Sequence, residues 1–422
     1  MDNALQEVLG AVSADEAMWS DFLALCDCGG RRAGTPSEER GIALVRERLA
    51  KIGSEVSVAR VPYAAWRLDR ASLDLDGVPL ACNPLLGSQS TPAEGVAGEV
   101  CDVGRGTPAD FERHAAAIAG RFVVVRHEYP FSTETVHRRR KLAMAMEKGA
   151  AGFIIANPFP GAGAVAGSSG RGGAAGIPAV GTDYESSVRL AAASGSHARV
   201  RVVLAAEDCA GETSALILDL PGRTRECVVL SAHVDGHDLA ESAMDNATGV
   251  AAALAIARAV APRIAECERG LRVCIFSAEE WALAGSRQYL DTMPDEERAR
   301  IAFNVNLDTL GGDERFTALT SDFSKLDAYV QTVARESGLA LGTHLPMMPN
   351  SDHYNFARHG IPALRLVAGF NRPDSDIRLI LTRGDTRDRV EPAQFTEGAR
   401  IAATLVWRAL TAKSEALRDL RK

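Results

Sequence analysis

The sequence predicts an α/β fold: a mostly parallel central sheet with helices on both faces, carrying an inserted β-rich domain. Three observations predict it. First, "SALILDL", "ECVVLSAHVD", "LRVCIFSAEE" and "IAFNVNLDTLGG" are apolar, partly β-branched runs of the kind that fill strands buried on both faces. Second, helical segments such as "ATGVAAALAIARAVA" and "SKLDAYVQTVARESG" stand between and after them, and strands alternating with helices argue a parallel sheet. Third, the texture between about residues 70 and 205 differs, with short strands, turns and glycine. A chain of 422 residues exceeds one ordinary core and suits two domains or one large domain with an insert.

The elements follow in order. "SEERGIALVRERLAKIGSEV" places apolar residues at helical spacing, with Gly53 as the expected C-cap. "RASLDLDGVPL" and "GEVCDVG" are expected as short strands with turns, and "GRFVVVRHE" and "AGFIIAN" as buried strands. "VHRRRKLAMAMEKGA" is expected as a helix ending at Gly149. "GAGAVAGSSGRGGAAG" is expected as a long mobile loop, and no strand–GxxxxGK[ST]–helix pattern makes it a phosphate cradle. The expected division is a catalytic domain from residues 1–69 and 206–422, with residues 70–205 inserted.

Composition narrows the function classes. The chain has 55 acidic and 47 basic residues, a net charge of −8, and no basic run or basic helix, so a nucleic-acid partner is not expected. The N-terminus is acidic, without a basic region followed by an apolar core, and does not read as a signal peptide. No uncharged apolar run reaches the roughly 18 residues of a membrane helix; "GVAAALAIARAVA" is short, carries Arg258 and is expected in the core. The eight cysteines are scattered without a CxxC pair and are expected as reduced thiols, which with the missing signal leads to an expected cytoplasmic location. A small-molecule substrate is expected, and homo-oligomerisation is left open.

The chemistry gathers where the expected strands end, the place where sites form in parallel α/β sheets. "VVLSAHVDGHD" ends a strand with His233 and Asp235. "SAMDNATGV" places Asp245 just before a helix, where alone it would read as a cap. "CIFSAEEWALAGS" ends a strand with Glu279 and Glu280, and "FNVNLDTLGG" ends another with Asp308. One strand-end carboxylate is ordinary; four clusters at successive strand ends are a divalent-metal donor set suited to Zn2+, Mn2+ or Co2+. Adjacent glutamates point different ways, so one can ligate while the other takes a proton from water. Asp235, two residues from His233, is placed to orient the imidazole. No GxSxG elbow or HExxH helix offers a competing chemistry.

Strand, "KGAAGFIIAN", loop, "GIPAVGTD" resembles the protease-associated domain over roughly residues 70–205. The order "AHVD…MDNATGV…SAEEWALAGS…NLDTLG…SDHYNFARHGIPAL", with the N-terminal "GGRRAGTPSEERG", resembles the M28 aminopeptidase family over roughly residues 211–410. The resemblance implies His233, Asp245 and Glu280 as ligands of one metal, Asp245 as a bridge, Asp308 on a second metal, Glu279 as general base, and Asp235 as partner of His233. It also implies a histidine just before the threonine of "TRGDT", where Leu381 stands. With that nitrogen lost, one divalent transition metal per chain, Mn2+ or Zn2+, is expected. His353 in "SDHYNF" and the arginines Arg365, Arg378 and Arg383 are candidates for holding a substrate, against plain roles as a core histidine and salt-bridge partners.

The expected function is a mononuclear hydrolase attacking a C–N bond of a small molecule. The lost ligand resembles the situation in the M28-like branch of the 5-nitroanthranilate aminohydrolase type, which implies an arylamine aminohydrolase releasing ammonia. Two alternatives stay open: an aminopeptidase or dipeptidase with one or two metals, and a non-catalytic binding protein, against which the retained Glu279 and Glu280 argue.

Overall fold

The computed structural model describes residues 3–53 and 55–421. The chain divides into two compact units, one of Met1–Pro62, Glu212–Ile377 and Asp385–Lys422, the other of Tyr63–Gly211 and Arg378–Gly384. The expected boundaries at residues 69 and 206 therefore fall inside two long strands, Val56–Leu75 and Arg199–Leu220, which carry the chain out of the larger unit and back. The seven residues Arg378–Gly384, expected with the catalytic domain, belong to the insert.

In the larger unit the sheet runs Leu341–His344, Phe316–Leu319, Ala363–Ala368, Ile301–Leu307, Cys227–His233, Gly270–Phe276 and then the end of Arg199–Leu220. Its central four strands, from Ala363–Ala368 to Gly270–Phe276, are mutually parallel, and the antiparallel pairings lie outside them. These strands are the β-branched runs of the sequence, and Cys274, Phe276, Val228 and Val305 are fully buried. One side of the sheet, through Ile217, Val229, Cys274 and Phe276, packs on Leu290 and Phe356 of the helices Ala284–Thr292 and His353–Arg358. Burying a side chain such as Phe276 contributes about 1.5–3 kcal/mol. The helices Thr248–Val260 and Pro392–Thr411 pack on each other and on the strands Cys227–His233 and Ile301–Leu307.

Thr248–Val260 is the apolar helix expected in the core. The stretch Ala243–Glu266 is long and apolar enough to cross a membrane by length and composition, yet it is mostly buried inside the domain. Arg258 reaches from it to Asp15 and Asp21 at 2.8 and 2.9 Å. The N-terminal helix Pro36–Ala50 ends before Gly53, with Lys51 as its C-cap. Gly53 is glycine for packing instead: a Cβ there would lie 2.5 Å from Leu218 Cδ1.

The insert is rich in strands, as expected, and they form a partly parallel sheet. Its strands Val96–Asp102, Phe122–Arg126, Gly152–Ala156 and Ala179–Thr182 are parallel to one another, and the helix Arg138–Glu147 connects two of them. Val123, Val125, Phe153 and Ile155 form its core with Leu142. The hairpin read from "LDLDGVPL" is present, with Leu75 opposite Val78 and both Asp76 and Gly77 at positive φ, as a tight two-residue turn requires. The glycine-rich segment is tied down, contrary to the expected mobile loop. Leu86 N donates to Gly167 O and Leu86 O accepts from Ser169 N, both at 2.9 Å, Arg171 Nε donates to Gly87 O at 2.6 Å, and Arg138 Nε donates to Ser168 O at 3.0 Å. Gly167, at φ +126°, leaves no room for a Cβ beside the Arg138 guanidinium.

Within the insert, His127 is buried beside Arg138 and Lys141. Burial, then those two cations, push its imidazole down to about 3. An unfolded histidine takes its proton near pH 6.5. The unfolded chain therefore binds more protons between these values, so this site costs stability as pH falls from about 6.5 towards 3 and nothing above that range. We expect His127→Gln to reduce the loss of urea stability between pH 6.5 and 5 by up to about 1.4 kcal/mol per pH unit. Parallel pH profiles for the two proteins would count against it.

Candidate metal centre

The site is built by register. Phe276 lies opposite His233, and Asn306 lies opposite Ser231, so Asp308 comes level with His233 at the ends of neighbouring parallel strands. The segment Ala243–Ala247 brings Asp245 in ahead of the core helix, with non-helical backbone at Asp245 and Asn246. His233, Asp245 and Asp308 each offer one ligand atom, and these atoms lie within 4.8 Å of one another. His233 Nε2 is 3.2 Å from Asp245 Oδ1 and 3.5 Å from Asp308 Oδ1.

Each ligand is held from behind. Asn246 Nδ2 donates to Leu307 O at 2.9 Å, and its Oδ1 accepts from Gly249 N and Thr309 N, tying the Asp245 loop to the Asp308 strand. Gly249 is required there, because a Cβ would fall 2.4 Å from Leu307 O. A polar chain runs below: Asn304 Nδ2 to Ser231 Oγ at 2.9 Å, Ser231 Oγ to Asn306 Oδ1 at 2.7 Å, Asn306 Nδ2 to Ser351 Oγ at 2.8 Å. Asp385, the aspartate of "TRGDT", accepts from Met244 N at 2.7 Å and from Asp245 N at 3.3 Å. Arg31, from "GGRRAGTP", is fully buried and donates to the carbonyls of Leu25, Gly29, Val234, Glu241 and Ser242, bracing the loop between His233 and Asp245.

Asp235 works differently from the expectation. The nearest partner of His233 Nδ1 is the backbone oxygen of Asp235 at 3.0 Å, while the Asp235 carboxylate stands 3.6 Å away. That carboxylate accepts from Glu279 N at 3.0 Å and from Glu280 N at 3.1 Å. It thus fixes the tight turn that carries both glutamates, where Ala278 has positive φ. Glu280 is not gathered with His233, Asp245 and Asp308. Its Oε2 lies 2.7 Å from His237 Nε2. His353 has no exposed surface, so it is a core residue and not a wall of an open pocket. Arg365 is also buried and pairs with Asp308 Oδ2 at 3.1 Å. Arg378 and Arg383 belong to the insert: Arg378 stacks over the Phe159 ring and Arg383 Nη2 donates to Gly161 O at 2.6 Å. Leu381, also in the insert, has φ +61° and its carbonyl accepts from Ala166 N at 2.7 Å; its side chain offers no donor.

The electrostatics follow from crowding carboxylates in a dry place. Burial, reinforced by Glu280, raises the proton affinity of Asp245. Burial lifts Glu279 well above the usual carboxylate range; His233 opposes this, and Glu280, Asp308 and Asp352 add to it. Burial alone would raise Asp308, but Arg365 and then His233 outweigh it and hold that carboxyl low. Burial would lower His233, but Glu279 and Asp308 raise it well above an ordinary imidazole. Asp385 is pushed up to about 7, by burial and then by Asp245.

One divalent ion fits this donor set: an imidazole nitrogen and two carboxylate oxygens, from two neighbouring strand ends and the segment ahead of the core helix, in mutual reach and supported by a second layer of hydrogen bonds. The second ion implied by the family resemblance does not fit equally, because Leu381 stands where the resemblance implies its nitrogen and Glu280 Oε2 is paired with His237 Nε2 at 2.7 Å. We expect Asp235→Asn to weaken binding of the first ion by about 10–100-fold, since the amide puts a donor against one of the two backbone N–H groups. Metal titration checks this, and unchanged affinity would remove Asp235 from the support of the site.

Comparison with known proteins agrees with this geometry. Residues 215–406 match peptidase family M28, and residues 90–190 match the PA domain. The chain is 26% identical to a probable lipoprotein aminopeptidase, LpqL, of Mycobacterium tuberculosis, over 81% of this chain and 70% of that protein. It is 24% identical to the aminopeptidase YwaD of Bacillus subtilis, over 90% of this chain and 82% of that one. A peptidase M28 precursor from Shewanella amazonensis shares the fold with TM-score 0.78 at 22% identity, covering 97% of this chain and 96% of that one. BSAP, a zinc aminopeptidase from Bacillus subtilis, shares it with TM-score 0.75 at 23% identity, covering 94% and 96%. Residues 215–406 thus carry an M28 peptidase-like domain, and residues 90–190 a PA-like domain that interrupts the larger unit.

Proposed function

We propose that the protein is a metal-dependent aminopeptidase. The observation that carries this reading is the convergence of His233 and Asp308, at neighbouring strand ends, with Asp245 from the segment ahead of the core helix and Glu279 beside them, on an M28-like scaffold. The two curated relatives, matched over 81% and 90% of this chain, are both described as aminopeptidases. They favour that activity over the arylamine aminohydrolase expected from Leu381 alone. Among the described residues, the arginines expected to hold an aromatic carboxylate are otherwise engaged, Arg365 with Asp308 and Arg378 with Phe159.

An ion held by His233, Asp245 and Asp308 would supply Lewis acidity, sharpening a water as nucleophile and polarising the scissile carbonyl. Zinc suits these nitrogen and oxygen donors, and BSAP is described as a zinc enzyme. Glu279 accepts a proton on its carboxylate as water adds to the carbonyl carbon. It returns that proton to the departing nitrogen as the C–N bond breaks, leaving a carboxylic acid and a free amine. Its burial gives it the raised proton affinity this exchange needs. The Asp235 clamp keeps its backbone in place through both transfers.

Glu279→Gln should lower kcat by about 10²–10⁴-fold while the metal content, by elemental analysis, stays that of the wild type. Wild-type turnover in the metal-loaded variant would reject the proton-transfer role. Aminoacyl nitroanilides and aminobenzoates should be offered side by side, with Zn2+ and with Mn2+. We expect nitroaniline release from the first and no ammonia from the second. Ammonia from the aminobenzoates without aminoacyl cleavage would restore the aminohydrolase reading, and neither product would favour a binding protein.

A further inference from the structure

We propose that His237 and Glu280 form a second, weaker cation site beside the first, in which His237 supplies the nitrogen that Leu381 does not. The inference rests on the metal-site reading above. Glu280 lies outside the group of His233, Asp245 and Asp308, on the other side of Asp245, and its Oε2 is 2.7 Å from His237 Nε2. Side-chain exposure is 8% for His237 and 10% for Glu280, so water screens the pair little. Burial apart, Glu280 is the strongest influence on the proton affinity of Asp245, which puts the pair within electrostatic reach of the carboxylate that the family resemblance makes a bridge.

The turn that presents His237 is closely built. His237 N donates to Ser242 Oγ at 3.0 Å, and that hydroxyl stands 3.4 Å from His237 O. Gly236 N donates to Arg31 O at 3.3 Å. Two glycines let the chains meet there: a Cβ on Gly30 would fall 1.9 Å from His237 O, and one on Gly236 would fall 2.3 Å from Ser242 Oγ. The imidazole is thus aimed by its backbone.

An imidazole nitrogen and a carboxylate oxygen in contact share a proton when no ion lies between them. Two donors on one zinc-like ion, each at about 2.0–2.1 Å, stand about 2.9–3.3 Å apart, so this pair opens by only a few tenths of an ångström to exchange the proton for an ion. Asp245 turns Oδ1 to His233 Nε2, which leaves its other oxygen as the third donor. Leu381 offers no nitrogen, whereas His237 offers one from the turn that follows the strand Cys227–His233. Glu280 then remains a ligand, as the resemblance implies, but with His237 as its partner instead of His233. Among the described residues, three donor atoms within 4.8 Å of one another occur only at the first centre, and Asp245 belongs to that centre already. The second ion is therefore the weaker of the two.

The test is a metal titration read without activity. Full-length protein, stripped of metal, is titrated with Mn2+ and followed by elemental analysis and electron paramagnetic resonance, beside His237→Ala and His237→Gln. We expect two steps in the wild type: one uncoupled ion, then a weaker second ion that converts the signal to that of an exchange-coupled pair. Both variants should keep the first step, which also shows that they fold, and bind the second ion at least about 100-fold more weakly, more than an outer partner of a ligand is worth. His237→Gln retains an N–H for Glu280, so loss of the second step there is loss of a ligand and not of the pair. Saturation of the wild type at one uncoupled ion overturns the proposal and leaves the first centre standing, whether or not the variants fold. An unchanged second step in either variant overturns it as well, because the nitrogen then comes from elsewhere. No bound ion in the wild type fails the metal-site reading itself, and the proposal with it.

Discussion

The constraint on which the site depends is charge balance in a dry cleft. Asp235, Asp308 and Glu279 are buried at the ends of neighbouring strands, with Asp245 and Glu280 close to them. Two like charges about 4 Å apart repel by about 4 kcal/mol even at an effective dielectric of about 20. Such a cluster persists only if most of its carboxylates are compensated, and the structure provides a different partner for four of the five. Asp235 takes two backbone N–H groups, Asp308 takes Arg365, Glu280 takes His237, and Asp245 faces His233. Asp245 and Glu279 keep raised proton affinity after all of this. The unspent negative charge sits where a divalent ion fits.

That balance also explains why residues distant in sequence are needed. Arg31 contributes no ligand, yet its five carbonyl contacts fix the path between His233 and Asp245. Glu38 accepts hydroxyl hydrogen bonds from Thr213 and Ser277, the latter at the root of the Glu279 turn. Both residues come from the N-terminal stretch "GGRRAGTPSEERG". Its resemblance to the M28 family extends beyond the strand ends because the strand-end loops cannot hold their shape without it. Breaking one such buried contact leaves several carbonyls or hydroxyls unpaired, at about 1–3 kcal/mol each.

Much of this was legible in the sequence. The parallel core strands, the core helix and the strand-end positions of His233, Glu279 and Asp308 follow from apolar runs and from where they stop. Side-chain direction was not legible. The sequence places Asp235 near His233, but only the fold shows that its carboxylate turns to the backbone of Glu279 and Glu280. Arg365 and His353 lie on buried strand and helix positions, where a sequence cannot distinguish a substrate contact from an internal partner. The segment Arg378–Gly384 misled for a related reason: continuity with Asp385 suggests one domain, while its hydrogen bonds attach it to the glycine-rich segment of the other. Asp385 drew no notice at all, because a lone aspartate in a turn has no pattern.

The missing histidine then takes on a different meaning. Taken alone, Leu381 suggests a damaged two-metal site and a changed chemistry. Set beside the intact donor set of His233, Asp245 and Asp308, it removes nothing that one ion needs. An oxyanion forming as water adds to a carbonyl needs positive charge nearby in fixed positions, and a buried guanidinium supplies charge without reorganising. Arg365 touches Asp308 and not an open cavity, so its effect on the reacting carbonyl passes through that carboxylate: it keeps Asp308 ionised and oriented as a ligand. Loss of the second ion's nitrogen ligand is therefore compatible with retained peptide chemistry. The altered motif does not by itself argue against the aminopeptidase activity proposed above, the activity by which both of the reported relatives are described.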